Sequence, residues 1–144
     1  MIHPDRIEQL NSNTVRPGDY VVYWMQASQR TLDNHALEYA VRKANGLSQP
    51  LVVFFGLTSD FPEANERHYL FMLQGLQETA KTLQTREIPF IIQQVSPENG
   101  VVFISKKASL VVTDKGYLRI QRQWRQYAAQ HIRCPLIQIE SDVI

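Results

Sequence analysis

Apolar runs of strand length alternate along the chain with stretches of helical period. The first, Tyr20-Val21-Val22-Tyr23-Trp24, is β-branched or aromatic throughout and free of charge, the pattern of a strand buried on both faces. Similar runs follow at Leu51-Val52-Val53-Phe54-Phe55, Phe90-Ile91-Ile92, Leu110-Val111-Val112 and Leu136-Ile137-Gln138-Ile139, which makes about five strands. After the first strand, Leu37, Ala40, Val41 and Ala44 share one helical face, with Asp33 placed to cap the start and Gly46 the end. A longer helix is expected from Glu66 to about Arg86, capped by Asn65. Its residues Tyr69, Leu73, Leu76, Ala80 and Leu83 recur at spacings of three and four, and the first three are expected against the sheet. A short third helix is expected to begin at Ser96-Pro97, a cap followed by proline at the first helical position, although Gly100 counts against it. The last helix runs from about Arg119 to His131, with Ile120, Trp124, Tyr127 and Ala128 as its apolar side.

Strands and helices in strict alternation imply an α/β domain, doubly wound, with an approximately five-stranded parallel sheet and helices on both faces, because right-handed crossovers place them there. The first 18 residues read as an irregular lead-in and residues 19–144 as the domain proper. A chain of 144 residues supports one core. Hydrophobic residues make up 44% and charged residues 20%, with no apolar run near the ~18 that a membrane span requires. Met1-Ile2-His3-Pro4-Asp5-Arg6 has proline and mixed charge where a signal peptide needs a basic end and an apolar stretch. A cytoplasmic protein without a membrane partner is expected. Cys134, the only cysteine, excludes an internal disulfide and any multi-cysteine metal site. The formal charge of +1 lacks the basic excess of a domain devoted to phosphate neutralisation, so most of any grip on DNA lies elsewhere.

In doubly wound sheets ligands bind beyond the carboxyl ends of the strands, which directs attention to the loops 25–33, 56–65 and 114–119. The glycines at 18, 46, 56, 75, 100 and 116 are too far apart for a dinucleotide fingerprint or a Walker A loop. His3, His35, His68 and His131 are dispersed, so no metal site and no catalytic constellation is expected. Cys134 beside Pro135 reads as a small core residue. The stretch Tyr23 to Leu37 concentrates polar residues around a strand end. It reads either as a plain loop, with Arg30 and Asp33 forming a local ion pair, or as a functional segment.

The WxxxxxRxxDNxAL pattern from Trp24 to Leu37 resembles the opening strand and loop of photolyases and cryptochromes. With Met25-Gln26-Ala27-Ser28-Gln29 inside it, the pattern is similar to class II cyclobutane pyrimidine dimer photolyases in particular. Three further stretches agree in order: Phe61 to Tyr69, Phe71 to Leu76, and Val112 to Arg119 with Gln123-Trp124-Arg125. The resemblance implies the amino-terminal α/β domain of an enzyme that splits cyclobutane dimers in DNA by electron transfer from photoexcited, reduced FAD. In that family the FAD site and most of the DNA-binding surface lie in a carboxyl-terminal helical domain that this sequence does not contain. The domain alone is therefore expected to be inactive, its partners being that helical domain and, through it, damaged DNA.

The resemblance also implies a cleft that can house an antenna chromophore: a deazaflavin, a folate or a flavin. By position its wall comprises Trp24, Met25 and Gln26, then Phe55 and Gly56, then Asp114, Lys115 and Gly116. Trp24 and Phe55 read equally as core aromatics, and Gly116 as a left-handed turn. Asp114 and Lys115 are charged residues directly after a buried strand, a better claim to ligand contact. Lys115, Arg119, Arg122 and Arg125 form a basic cluster. It is either plain surface charge or a contact with DNA or the neighbouring domain. Two other classes stay open: a free-standing module binding a nucleotide or flavin-like ligand, and an interaction domain whose sheet scaffolds a partner surface.

Overall fold

A computed structural model describes residues 4–26, 34–58 and 66–140, leaving aside the side chains of 66–69. The strands are β1 (Ile7–Gln9), β2 (Tyr20–Trp24), β3 (Leu51–Gly56), β4 (Phe90–Gln93), β5 (Ala108–Asp114) and β6 (Leu136–Ile139). The helices are α1 (His35–Gly46), α2 (Glu66–Thr85), α3 (Pro97–Ile104) and α4 (Arg119–His131). The strands form one sheet in the order β1-β6-β5-β2-β3-β4, in which every pairing is parallel except β1 with β6. Beyond the first strand, this is the doubly wound α/β architecture expected from the alternation of apolar runs.

The alternation of side chains along each strand sorts the core into two halves. Val21, Tyr23 and Met25 point to the face covered by α1 and α2, where they join Leu37, Ala40, Leu76 and Leu83. Val22 and Trp24 point to the face covered by α3 and α4, where Val101, Trp124 and Ala128 meet them. Strands β2, β5 and β6 lie inside the sheet and are almost wholly buried. The edge strand β4 is not, and Ile92 is 43% exposed. On α2, Leu76 and Leu83 are buried and Leu73 packs partly against them, while Tyr69 and Asn65 fall outside the described features.

Several sequence expectations need correction. The lead-in is not irregular throughout, because β1 pairs antiparallel with β6, Ile7 facing Ile139. Asn13 Nδ2 also donates to the carbonyls of Ile132 (2.8 Å) and Cys134 (3.2 Å), which ties the segment across the sheet's lower edge. The cap of α1 is Asn34, not Asp33: its extended backbone lets Oδ1 accept the Leu37 N–H at 3.0 Å. Asp33 and Arg30 lie outside the described residues. Gly46 closes α1 as its last helical residue, Leu47 is the C-cap, and the left-handed turn falls on Ser48 (φ 55°). Tyr127 is 39% exposed and stacks on His131 instead of joining the core.

Candidate ligand-binding site

From β2 the chain steps outward through β3 to β4, and from β5 in the opposite direction to β6, so strand order reverses between the neighbours β2 and β5. The carboxyl ends around such a reversal leave a crevice, because the connections to either side diverge there. A cleft of about 340 Å³ opens at this end of the sheet. One wall is the end of β2 with its following residues, Trp24, Met25 and Gln26. A second is the end of β3, Phe55 to Thr58. Phe71 and Met72 of α2 and Pro97 of α3 line the cleft further out, and Leu118, Gln121 and Trp124 close it at the start of α4. Gly56 permits this convergence, since a Cβ there would lie 2.7 Å from Pro97 Cα. The lining is chiefly apolar and aromatic, and it contains no Lys or Arg among the described residues.

Buried hydrogen bonds hold the β2 wall. Asp114, at the end of β5 and 2% exposed, accepts the Gln26 backbone N–H through Oδ1 and the Tyr23 hydroxyl through Oδ2, both at 2.9 Å. The Tyr23 oxygen in turn accepts from Asn34 Nδ2 at 3.0 Å, which couples the wall to the cap of α1. Gln26 is clamped to α4 as well: its Nε2 donates to the Gln121 carbonyl at 3.2 Å, and its Oε1 accepts from Arg125 Nη1 at 3.1 Å. Burial pushes the Arg125 guanidinium below its ordinary value, while the Asp114 carboxylate pulls it back up. Among the described residues, one buried donor of the cleft lining has no hydrogen-bond partner, the indole Nε1–H of Trp24.

Five of the wall residues chosen from sequence thus come together: Trp24, Met25, Gln26, Phe55 and Gly56. Asp114, Lys115 and Gly116 do not line the cleft. Asp114 stands behind the wall and orients it. Lys115 donates its backbone N–H to the Ile139 carbonyl at 3.0 Å, and its Nζ sits 5.8 Å from the centre of the Tyr117 ring. Gly116 has no positive φ; a Cβ there would meet the Gln121 amide, which would have to move off the Leu118 N–H that it accepts. In the basic cluster, Arg119 and Arg122 are exposed, but Arg125 is 5% exposed and spends its guanidinium on Gln26, so it is an internal clamp and not a surface contact. Among the described residues no group of three His, Cys, Asp or Glu side chains is gathered for a metal, and no helix is long and apolar enough to cross a membrane.

Sequence reasoning missed Gln121, Leu118 and Pro97 as wall residues, because each enters through a helix start whose approach to the strand ends only topology supplies. Phe71, Met72 and Trp124 stood in family-like stretches, but their helical spacing assigned no ligand role.

The fold and the cleft define the class first: a doubly wound α/β domain with an aromatic crevice at its strand-order reversal. The DNA photolyase family model matches residues 21–144, and the chain belongs to that family. It is 48% identical over 145 residues to the deoxyribodipyrimidine photo-lyase of Methanothermobacter thermautotrophicus, covering all of this chain and 33% of that protein. The deoxyribodipyrimidine photo-lyase of Arabidopsis thaliana is 36% identical over 82% of this chain and 25% of its own length. The chain therefore spans between a quarter and a third of these curated relatives, and it corresponds to their amino-terminal part. Among solved structures, the universal stress protein UspA from Lactobacillus plantarum aligns with TM-score 0.60 at 14% identity, covering 87% of this chain and 100% of that one. A universal stress protein in complex with cAMP aligns at TM-score 0.56 and 14% identity, over 87% and 99%. These likenesses show the fold.

Proposed function

We propose that this chain is the antenna domain of a deoxyribodipyrimidine photo-lyase, and that the cleft at the ends of β2 and β3 receives the ring system of a light-harvesting chromophore. The carrying observation is the cleft itself: Phe55, Phe71 and Trp124 supply aromatic surface, backed by the fully buried Trp24, around a space of about 340 Å³, within the range of small-molecule sites. The Trp24 indole N–H, buried at the lining and without a partner among the described residues, is the one unspent donor there. Gln26, Gln121 and Thr58 are the other polar residues of the lining, the two amides also being held by bonds within the domain. A deazaflavin, folate or flavin ring meets this chemistry. When bound, such a group would contribute absorption of near-ultraviolet or blue light and transfer of that energy. Reduced FAD, the splitting of cyclobutane dimers and the main DNA surface belong to the remaining length of such proteins, so this chain by itself leaves dimers intact.

A second reading has one observation in its favour, since a solved relative in fold is in complex with cAMP. A nucleotide needs its phosphates held by backbone N–H groups or cations, and among the described residues the cleft lining offers no Lys or Arg. Fluorescence titration of the purified chain with a deazaflavin, a folate, FMN and AMP distinguishes the readings. Saturable binding of one of the first three, weakened in Trp24→Phe, is expected. Saturation by AMP alone would favour the nucleotide module, and silence from all four would overturn the antenna reading.

A further inference from the structure

The opposite end of the sheet carries a second cleft, of about 400 Å³, with a different chemistry. It is lined by Arg16, Val102, Ser105, Lys106, His131 and Arg133. These residues come from three separate segments that meet because their strands are neighbours. Arg16 lies just before β2, Ser105 and Lys106 just before β5, and His131 and Arg133 just before β6, while the sheet order is β6-β5-β2. The lead-in reaches this place only because Gly18 has no side chain, since a Cβ would sit 2.7 Å from the Lys107 carbonyl oxygen.

Basic residues here have one plain structural use, because α3 and α4 both end at this edge. Each helix carboxyl terminus carries roughly half a negative elementary charge, so the two together amount to about one. Arg16 meets that demand at the end of α3, where Nη2 donates to the carbonyls of Ser105 (3.1 Å) and Lys106 (2.6 Å) and Nε to that of Ala108 (3.2 Å), while at the end of α4 Asn13 Nδ2 donates to the Ile132 carbonyl (2.8 Å). Lys106 and Arg133 are then surplus. Both are exposed, no Asp or Glu lines the cleft among the described residues, and Lys106 Nζ rests 5.3 Å from the centre of the Phe103 ring. Three permanent cations against about one dipolar charge leave roughly two positive charges facing a concave space. The Nη1 group of Arg16 has no hydrogen-bond partner among the described residues, and its guanidinium is already held in place by the three carbonyls. Little ordering cost therefore falls on an incoming anion.

We propose that this basic cleft, at the far end of the sheet from the chromophore cleft, is a phosphate-binding site, built on Arg16 and completed by Lys106 and Arg133. The phosphate comes either from a small phosphate-bearing molecule or from a nucleic-acid backbone. The surplus of about two charges matches one phosphate dianion or two neighbouring backbone phosphodiesters, and exceeds what a single carboxylate would use.

The test uses the chain at low salt. Inorganic phosphate and pyrophosphate are titrated by 31P NMR, and a labelled oligothymidylate by fluorescence anisotropy. Saturable binding is expected for at least one probe. In the Lys106→Glu/Arg133→Glu double variant it should weaken by roughly tenfold for each altered charge, because hydrogen bonds to charged groups are the strong ones. The control double variant Arg42→Glu/Lys81→Glu alters exposed cations outside the cleft lining and should bind as the parent does. Saturation by phosphate or pyrophosphate assigns the site to small phosphate-bearing molecules. Saturation by the oligonucleotide alone assigns it to the backbone. Absence of saturation by all three probes, or equal loss in both double variants, overturns the proposal. Matching thermal melts of the two variants guard against a folding artefact.

Discussion

Replacing Asp114 tests whether the β2 wall of the cleft is held from behind. In Asp114→Ala the Gln26 backbone N–H and the Tyr23 hydroxyl both lose an acceptor at 2.9 Å in a place that water does not reach. Taking a buried acceptor from a donor costs about 1–3 kcal/mol, so losing both bonds costs about 2–6 kcal/mol, a large part of the ~5–15 kcal/mol that holds such a domain together. Asp114→Asn is the finer probe. Its one oxygen can serve the fixed Gln26 N–H, which turns the amide NH2 toward Tyr23. The Tyr23 oxygen already accepts from Asn34 Nδ2, and its own proton is then left without the carboxylate. About 1–3 kcal/mol should be lost, seen as a fall in Tm of roughly 2–4 °C per kcal/mol and as a lower urea midpoint with unchanged slope. Tyr23→Phe removes the same bond from the other side, so the double variant should show a coupling energy of at least ~0.5 kcal/mol. Asp114→Ala melting within ~0.5 kcal/mol of the parent would refute the claim that this carboxylate organises the wall.

Asn34→Ala removes both the α1 cap and a donor to Tyr23, so unfolding by urea should show a loss of about 0.5–2 kcal/mol, whereas an unchanged midpoint would exclude the cap. Burial pushes the Cys134 thiol up to about 11, so the folded chain should resist iodoacetamide at pH 8 and react only once unfolded. The folded state then holds this proton more tightly than the unfolded state, whose thiol titrates near ~8.5, so the associated stability is full below that pH and is lost as pH rises toward 11. Cys134→Ala should flatten that part of the alkaline stability profile, and rapid alkylation of the native protein would contradict the burial.

What could be read from the sequence followed from short-range regularity. The uninterrupted apolar runs marked the inner strands, and Ser96-Pro97 marked the start of α3. The bounds of α4 were legible because Trp124 and Ala128 keep helical spacing. The losses have physical reasons. β1 is three residues with a single apolar one, Ile7, and its pairing with β6 depends on a partner more than a hundred positions away. Asp33 and Asn34 are adjacent residues of equal capping chemistry, so residue type alone could not choose the cap, which is Asn34 through its bond from the Leu37 N–H. Asp114 looked like a ligand contact because a charge after a buried strand is costly unless it serves something. It serves Tyr23 and the Gln26 N–H, which lie on a strand that topology alone makes its neighbour.

The hydrogen bonds that shape the cleft are also bonds that hold the domain together, and this constrains how its function can be measured. Gln26 is gripped by Asp114 through its backbone and by Arg125 through its side chain, and it lines the cleft between those grips. A variant that loosens either grip shifts the wall and lowers stability at once. A fall in chromophore binding could then arise from a displaced Gln26 or merely from a smaller folded fraction. The two separate by magnitude: a loss of ~2 kcal/mol from a domain stable by ~8 kcal/mol still leaves it almost wholly folded at 25 °C. Any weakening of binding under those conditions reports the geometry of the wall. Arg125→Lys tests this most directly, because it keeps the positive charge beside Asp114 but loses the planar reach to Gln26 Oε1. Weaker chromophore binding at an unchanged folded fraction would identify Arg125 as a positioning residue, and unchanged binding would show that the backbone grip of Asp114 suffices.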